Sequence, residues 1–208
     1  MTDMQEFSSY QLDALKELTN IGMGRAGAKL SEIFEHRVTL SVPNITAVDK
    51  SKFDDLITKF DDHTGGINII NQSFIGDIEG RSTFIIGGNN FVDIVSLLGY
   101  EEQDALDSRR QKEMLLEISN AVNSACLSGL GEQLALDIEL TNPSVLVFNK
   151  SNVDLKDFSF KEKNQDVHGT LLFEIKFFIK DINLHCDNII SIKRTSIKSM
   201  LTALERFL

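Results

Sequence analysis

Hydrophobic and polar positions follow a helical period in the first stretch of the chain and a strand period after it. Apolar residues recur at helical spacing over residues 10–35, which predicts an amphipathic helix. A period of two follows and predicts a half-buried strand that ends at Pro43. The apolar stripe of the helix is formed by Leu12, Leu15, Ala26, Leu30 and Ile33. The inward positions of the strand are Val38, Leu40 and Val42.

The rest of the first half predicts a hairpin between two helices. In order, we expect a short helix at 52–60, a loop at 61–66, strands at 67–74 and 78–86 joined by a turn at 75–77, and a helix through Leu98 that Gly99 closes. Asn89 or Asn90 is the expected N-cap of that last helix.

The second half repeats this order of elements. It predicts a helix at 108–130, a strand at 135–140 that ends near Pro143, strands at 171–178 and 182–192 that turn at 180–181, and a final helix through Phe207 capped by Thr195 or Ser196. A repeat of half the chain length indicates an internal duplication and not a solenoid. We therefore expect a single α+β domain over residues 1–208, made of two homologous halves at about 10–100 and 108–208. Its sheet would combine hairpins of both halves, with two long helices on the surface.

One polar motif occurs twice, at positions offset by 100 residues. Each copy has an acidic residue, a glutamate four positions later, an asparagine three further on, and a proline 23 residues after the asparagine. The first copy is Asp13, Glu17, Asn20 and Pro43, and the second is Glu113, Glu117, Asn120 and Pro143. The chain contains only two prolines, and they occupy equivalent places.

Helical geometry places each polar triplet on one narrow sector of its helix, because positions i, i+4 and i+7 nearly align. The apolar stripe lies opposite, and in the second helix it consists of Leu115, Val122, Cys126 and Leu130. Two like charges at i, i+4 repel, so the triplet does little for its own helix. A single Glu–Asn pair would be an ordinary solvated face, but its duplication favours a contact surface for a partner.

Composition narrows the classes of partner. The net charge of −10 and the pI near 4.9 disfavour nucleic-acid binding, since this field repels phosphate backbones. Two isolated cysteines fit a reducing compartment better than a disulfide scaffold. The polar start of the chain lacks a signal-peptide core, and no apolar run could span a bilayer. We expect a cytoplasmic protein with no membrane insertion.

Three other signals carry less weight. Residues 22–27 satisfy the dinucleotide pattern G-x-G-x-x-G, but a polar helix pattern precedes them where a buried strand is required. Their glycines are better explained by close approach of packed elements or of a partner beside Asn20. No metal-ligand spacing joins the histidines His36, His63, His168 and His185. Cys126 is expected to be a small core residue and not a nucleophile.

The repeated motif resembles the signature of the CheC/CheX/FliY phosphatases of chemotaxis. Segments 15–26 and 117–121 are similar to the helices of that family, and Ile78-Glu79-Gly80 is similar to its hairpin. The resemblance covers most of the chain, and its two motif copies favour the two-site CheC arrangement over the single-site CheX one. Glu113 departs from the pattern, which has Asp or Ser at that place, so we rank the first copy above the second.

The resemblance implies hydrolysis of the aspartyl phosphate of a CheY-like receiver domain. Asn20 and Asn120 would orient the attacking water, and Glu17 and Glu117 would dock the lysine of the receiver. Asp13 and Glu113 would be auxiliary contacts, and Pro43 and Pro143 structural parts of the motif. The protein would need no cofactor or metal of its own, because the receiver brings Mg²⁺.

The resemblance also leaves a non-catalytic alternative. The chain could bind receivers or the CheD deamidase as an adaptor, or serve as a structural part of the flagellar switch.

Overall fold

The computed structural model describes residues 7–48, 66–87, 91–101, 103, 106–150, 170–180 and 184–208. Within these ranges the helices are α1 (Ser9–Phe34), α2 (Phe91–Leu98), α3 (Ser108–Leu134) and α4 (Ile197–Leu204). The strands are β1 (Val38–Val48), β2 (Ile67–Gly76), β3 (Gly80–Gly87), β4 (Ile138–Leu140), β5 (Ser144–Lys150), β6 (Thr170–Ile179) and β7 (Leu184–Ile192). No helix of these ranges is long and apolar enough to cross a membrane.

The seven described strands form one sheet in which every pairing is antiparallel. Its order is β1-β6-β7-β3-β2-β4, and β5 also pairs with β2. The order is symmetric about the central β3–β7 pair. If β1 is exchanged with β4, β6 with β2 and β7 with β3, the same order is obtained in reverse. The mixed helix-and-strand architecture confirms the coarse fold prediction, while the common origin of the two halves stays a prediction.

The two long helices begin and end in similar ways. Ser8 accepts the Gln11 N–H and Gln11 bonds back to the Ser8 N–H, whereas the carboxylate of Asp107 caps α3. Each helix ends on a residue in the left-handed conformation, Glu35 with φ 55° and Ala135 with φ 52°. These caps lie 100 residues apart, as do the starts of the strands that follow them.

The close contact between α1 and α3 depends on two glycines. A Cβ on Gly22 would lie 2.5 Å from the carbonyl oxygen of Gly129, and a Cβ on Gly129 would lie 2.5 Å from that of Gly22. Both distances are too short for any side chain, so the two backbones touch here. The close approach expected from the glycine-rich segment is thus a helix–helix contact at Gly22, while the Cβ position of Gly24 is open.

The core lies where the apolar stripes of α1 and α3 meet the sheet. Leu15, Ala26 and Leu30 are buried as predicted, but Ile33 is 54% exposed, so its assignment to the stripe was wrong. The predicted stripe of α3 is buried throughout. Cys126 belongs to this core, and burial raises the pKa of its thiol to about 12. Near the end of α1, the Phe34 ring meets Phe177 of β6 edge-on.

Several predicted boundaries need correction. β1 does not end at Pro43 but continues to Val48, with a register shift between Ser41 and Asn44 that absorbs the proline. The strand predicted at 135–140 begins only at Ile138, because the left-handed cap occupies the preceding turn. β5 was not predicted.

The remaining predictions concern the cap of α4 and segments outside the described residues. Ser196 does not cap α4 with its side chain, since its hydroxyl accepts the N–H of Glu79. The helix at 52–60, the Asn89 or Asn90 cap and most of the loop at 61–66 lie outside the described residues, as does part of the second hairpin turn.

Gly22→Ala tests the helix contact. The added methyl group has no space between the backbones, so we expect a loss of about 1–3 kcal/mol in the free energy of unfolding, measured by denaturant titration. Gly24→Ala is the matched control on the same helix, and its open site predicts a gain of roughly 0.5–1 kcal/mol from helix propensity. Equal effects of the two substitutions would contradict a contact at Gly22.

Candidate functional site

The first candidate site, defined by Asp13, Glu17 and Asn20, lies on the outer face of α1. All three residues are exposed, opposite the buried Leu15 and Leu30. Asp13 and Glu17 make no hydrogen bond or ion pair with any described residue. Their carboxylates are therefore open to a cationic group from outside.

Asn20 is held at both ends of its carboxamide. Its Nδ2 donates to the carbonyl oxygen of Lys16 at 3.0 Å, and its Oδ1 accepts the backbone N–H of Val42 at 2.9 Å. Val42 lies at the register shift of β1, directly before Pro43. The interval between the asparagine and the proline thus has a physical reason, because the irregular strand offers a backbone N–H to the asparagine.

The second candidate site, defined by Glu113, Glu117 and Asn120, has intramolecular partners for both carboxylates. The hydroxyl of Tyr100 donates to Glu117 Oε2 at 2.9 Å. Glu113 forms ion pairs with Arg109 at 3.2 Å and Arg110 at 3.0 Å. The hydrogen bond to Glu117 and partial desolvation raise the pKa of Tyr100, because its ionised form would face a carboxylate.

Asn120 is tied to the protein through Gln72 of β2. The Nε2 atom of Gln72 lies 2.8 Å from Asn120 Oδ1 and 2.8 Å from the carbonyl oxygen of Thr141. Thr141 stands between β4 and β5, two residues before Pro143. In both halves the asparagine oxygen therefore connects to the segment that precedes the proline, directly in the first and through Gln72 in the second.

Sequence reasoning missed the neighbours that make the two sites differ, namely Gln72, Tyr100, Arg109 and Arg110. One signal was present for Gln72, because it shares its strand face with Ile70 and Phe74, where a polar residue needs a partner. Tyr100 gave no such signal, since it meets Glu117 from a different segment of the chain.

The structure also bears on the dinucleotide site and the metal site that were considered from the sequence. Residues 22–27 lie inside α1, so no strand leads into the glycine pattern as a dinucleotide fold requires. Within the described part of the chain, no three His, Cys, Asp or Glu side chains gather in a way that could hold a metal ion. His63 and His168 lie outside it.

The two sites offer the same pair of chemical groups. A carboxylate one turn before a carboxamide can bind a cation while the amide donates to, or accepts from, a neighbouring polar atom. The amide adds no negative charge, so it can stand beside an anion. Each carboxamide is held by its oxygen, which turns the amide nitrogen away from the strand.

Part of this sequence and the whole of this fold have counterparts in known proteins. A model of the CheC-like family matches residues 11–46, which contain α1 and most of β1. The FliY structure from Thermotoga maritima superposes with a TM-score of 0.69 at 16% identity, covering 96% of this chain and 98% of that one. At this identity, such a likeness concerns the fold.

Two further structures share the fold. The FliM middle domain from H. pylori gives a TM-score of 0.58 at 14% identity, over 95% of this chain and 99% of the other. The chemotaxis protein CheX from Desulfovibrio desulfuricans gives 0.52 at 13%, over 85% and 99%. The family match is thus confined to α1 and most of β1, and the structures show that the chain has the same fold as FliY, the FliM middle domain and CheX.

A titration of Tyr100 tests the contact at the second site. In a Tyr10→Phe background the chain keeps one tyrosine, so absorbance reports Tyr100 alone. Glu117→Gln removes the charge that disfavours the phenolate, and we expect the pKa of Tyr100 to fall toward its ordinary value of 10.0. Glu17→Gln, the same change on α1, is the control. An unchanged titration after Glu117→Gln would show that the hydroxyl does not contact that carboxylate.

Proposed function

We propose that this protein is a phosphatase that hydrolyses the aspartyl phosphate of a CheY-like receiver domain. The observation that carries the proposal is the pair of exposed helix faces on which a glutamate precedes an anchored asparagine by one turn. The family match of residues 11–46 supports it, because that segment includes the whole first site. The location expected for such an enzyme is the cytoplasm, where receiver domains act.

The asparagines would orient the attacking water. Phosphoryl transfer requires mainly a nucleophile placed in line, since metal and cationic groups absorb the developing charge. A carboxamide already fixed by Val42 or Gln72 loses little freedom when water binds to it. It can contact water and a phosphoryl oxygen without bringing a further negative charge.

The glutamates would dock the receiver. Glu17 and Glu117 lie one turn before the asparagines, so a lysine paired with the glutamate would place the phosphoryl group near the amide. Asp13 and Glu113 would add contacts one turn earlier. The receiver would supply Mg²⁺ and the phosphoryl group, and this chain only the docking face and the amide.

A binding role without catalysis is the competing proposal. The FliM middle domain has this fold and has been crystallised in a FliG–FliM complex. CheD binding would also be of this non-catalytic type. A phosphatase and a non-catalytic binding protein differ in one measurable quantity, the lifetime of the phosphoryl group on a bound receiver.

The double substitution Asn20→Ala with Asn120→Ala tests catalysis. We expect the intact chain to accelerate phosphate release from phosphorylated receivers and the double variant to lose that acceleration, since no amide then orients water. Phosphate release is followed with the receiver domains of the same cell, and binding is measured separately by calorimetry. We expect binding to persist, because both glutamates remain.

A matched control keeps this test specific. Glu32 and Glu132 are exposed at equivalent places on α1 and α3, about 18 Å along the helix axis from the asparagines. Glu32→Gln with Glu132→Gln should leave the phosphate release rate unchanged. Receiver binding without any acceleration by the intact chain would instead favour an adaptor.

The single substitutions test whether the sites are equal. Asn20→Ala should remove more of the rate than Asn120→Ala, because the carboxylates of the second site must first leave Tyr100, Arg109 and Arg110. Exposed pairs are worth at most about 1 kcal/mol, so we expect a ratio of up to about fivefold in kcat/KM. Equal losses would show that these contacts do not hinder docking.

A further inference from the structure

A chain of buried polar side chains runs beneath the second site. Its members come from three strands and from α3, and each is at most 1% exposed: Asn188, Ser82, Asn123 and Gln72. Asn188 Nδ2 donates to Asn123 Oδ1 at 2.8 Å, and Ser82 Oγ lies 2.7 Å from the same oxygen. Asn123 Nδ2 donates to Gln72 Oε1 at 2.7 Å. Buried polar groups of this kind are costly unless each one is paired.

The direction of this chain is set by one backbone group. The carbonyl oxygen of Thr141 can only accept, so the atom of Gln72 that faces it must be the amide nitrogen. The two hydrogens of Nε2 then serve Thr141 and Asn120, and the acceptor Oε1 must face Asn123. Every amide in the chain has one orientation that satisfies its neighbours.

The consequence reaches the surface at Asn120. Its oxygen must face Gln72, so its Nδ2 points away, and no described residue accepts from that nitrogen. We propose that Gln72 is a positioning residue that fixes which end of the Asn120 carboxamide faces the phosphoryl group and water. The kinetic part of this inference rests on the proposed phosphatase function, whereas the orientation of Asn120 does not.

The first half holds its asparagine in a different way. Asn20 accepts a backbone N–H of β1, so it needs no side-chain intermediary. The pairing of β6 with β1 and of β2 with β4 makes Ile175 the position equivalent to Gln72, and this residue is buried and apolar. In the second half the strand is interrupted between β4 and β5, and the N–H of Thr141 is donated to Ser73. A side chain from β2 therefore bridges the gap.

Gln72→Met tests the proposal in two backgrounds, because methionine keeps the volume and removes both polar ends. With Asn20→Ala, only the second site is left, and we expect kcat to fall about tenfold with KM unchanged, since Glu117 still docks the receiver. With Asn120→Ala, only the first site is left, and Gln72→Met should change kcat less than about twofold. Equal losses in both backgrounds, or no loss in either, would overturn the proposal.

A second readout does not need activity. The side-chain amide signal of Asn120 in a ¹H–¹⁵N spectrum, assigned by its loss in Asn120→Ala, should indicate an ordered amide in the intact chain. In Gln72→Met it should move to the position of a mobile asparagine. An unchanged signal would contradict the positioning role of Gln72, whether or not the intact chain accelerates dephosphorylation. An absence of acceleration would count against the phosphatase function alone.

Gln72→Asn is a second variant, to be used if Gln72→Met fails to fold. It keeps an amide but is one methylene shorter, so it cannot reach both Asn120 and Thr141. The same outcomes are expected in kinetics and in the spectrum.

Discussion

The contact between Gly22 and Gly129 is the constraint on which the rest of the structure depends. Backbones that touch leave no room for side chains between them, so α1 and α3 share the core as a close pair. Each helix then directs its apolar stripe inward, where Leu15 and Leu115 are fully buried. The opposite faces, with their glutamates and asparagines, have no place in that interior and remain exposed.

The two asparagines are exposed, yet the carboxamide oxygen of each accepts a hydrogen bond from the protein. Asn20 accepts a backbone N–H at the irregularity before Pro43, and Asn120 reaches the segment before Pro143 through Gln72. Proline explains why the interruption occurs at these places, since it cannot donate to a strand ladder. An amide already held in one orientation suits a reaction that depends on placing water, because ordering costs have been met in folding.

The two sites differ in the kind of interaction that surrounds them. The carboxylates of the first site stand free of described partners, whereas those of the second meet Tyr100 and two arginines at the surface. Such exposed contacts are weak and can be exchanged for a partner's charge. The polar chain below Asn120 is buried and mutually dependent, so it cannot be exchanged in this way. The first half thus has free carboxylates and an asparagine held by the backbone, whereas the second has paired carboxylates and an asparagine held by a side chain.

The sequence by itself determined the α+β character, the two long helices with their outward triplets, and the doubled motif with its prolines. These follow from periodicity and spacing, which act within one element. It misplaced Ile33, ended β1 too early and missed β5, because exposure and strand length depend on what other segments cover or extend. Only the tertiary structure decided that Gln72 supports Asn120 and that Tyr100 bonds to Glu117. Those pairs join residues 48 and 17 positions apart, and no local pattern encodes where such segments meet.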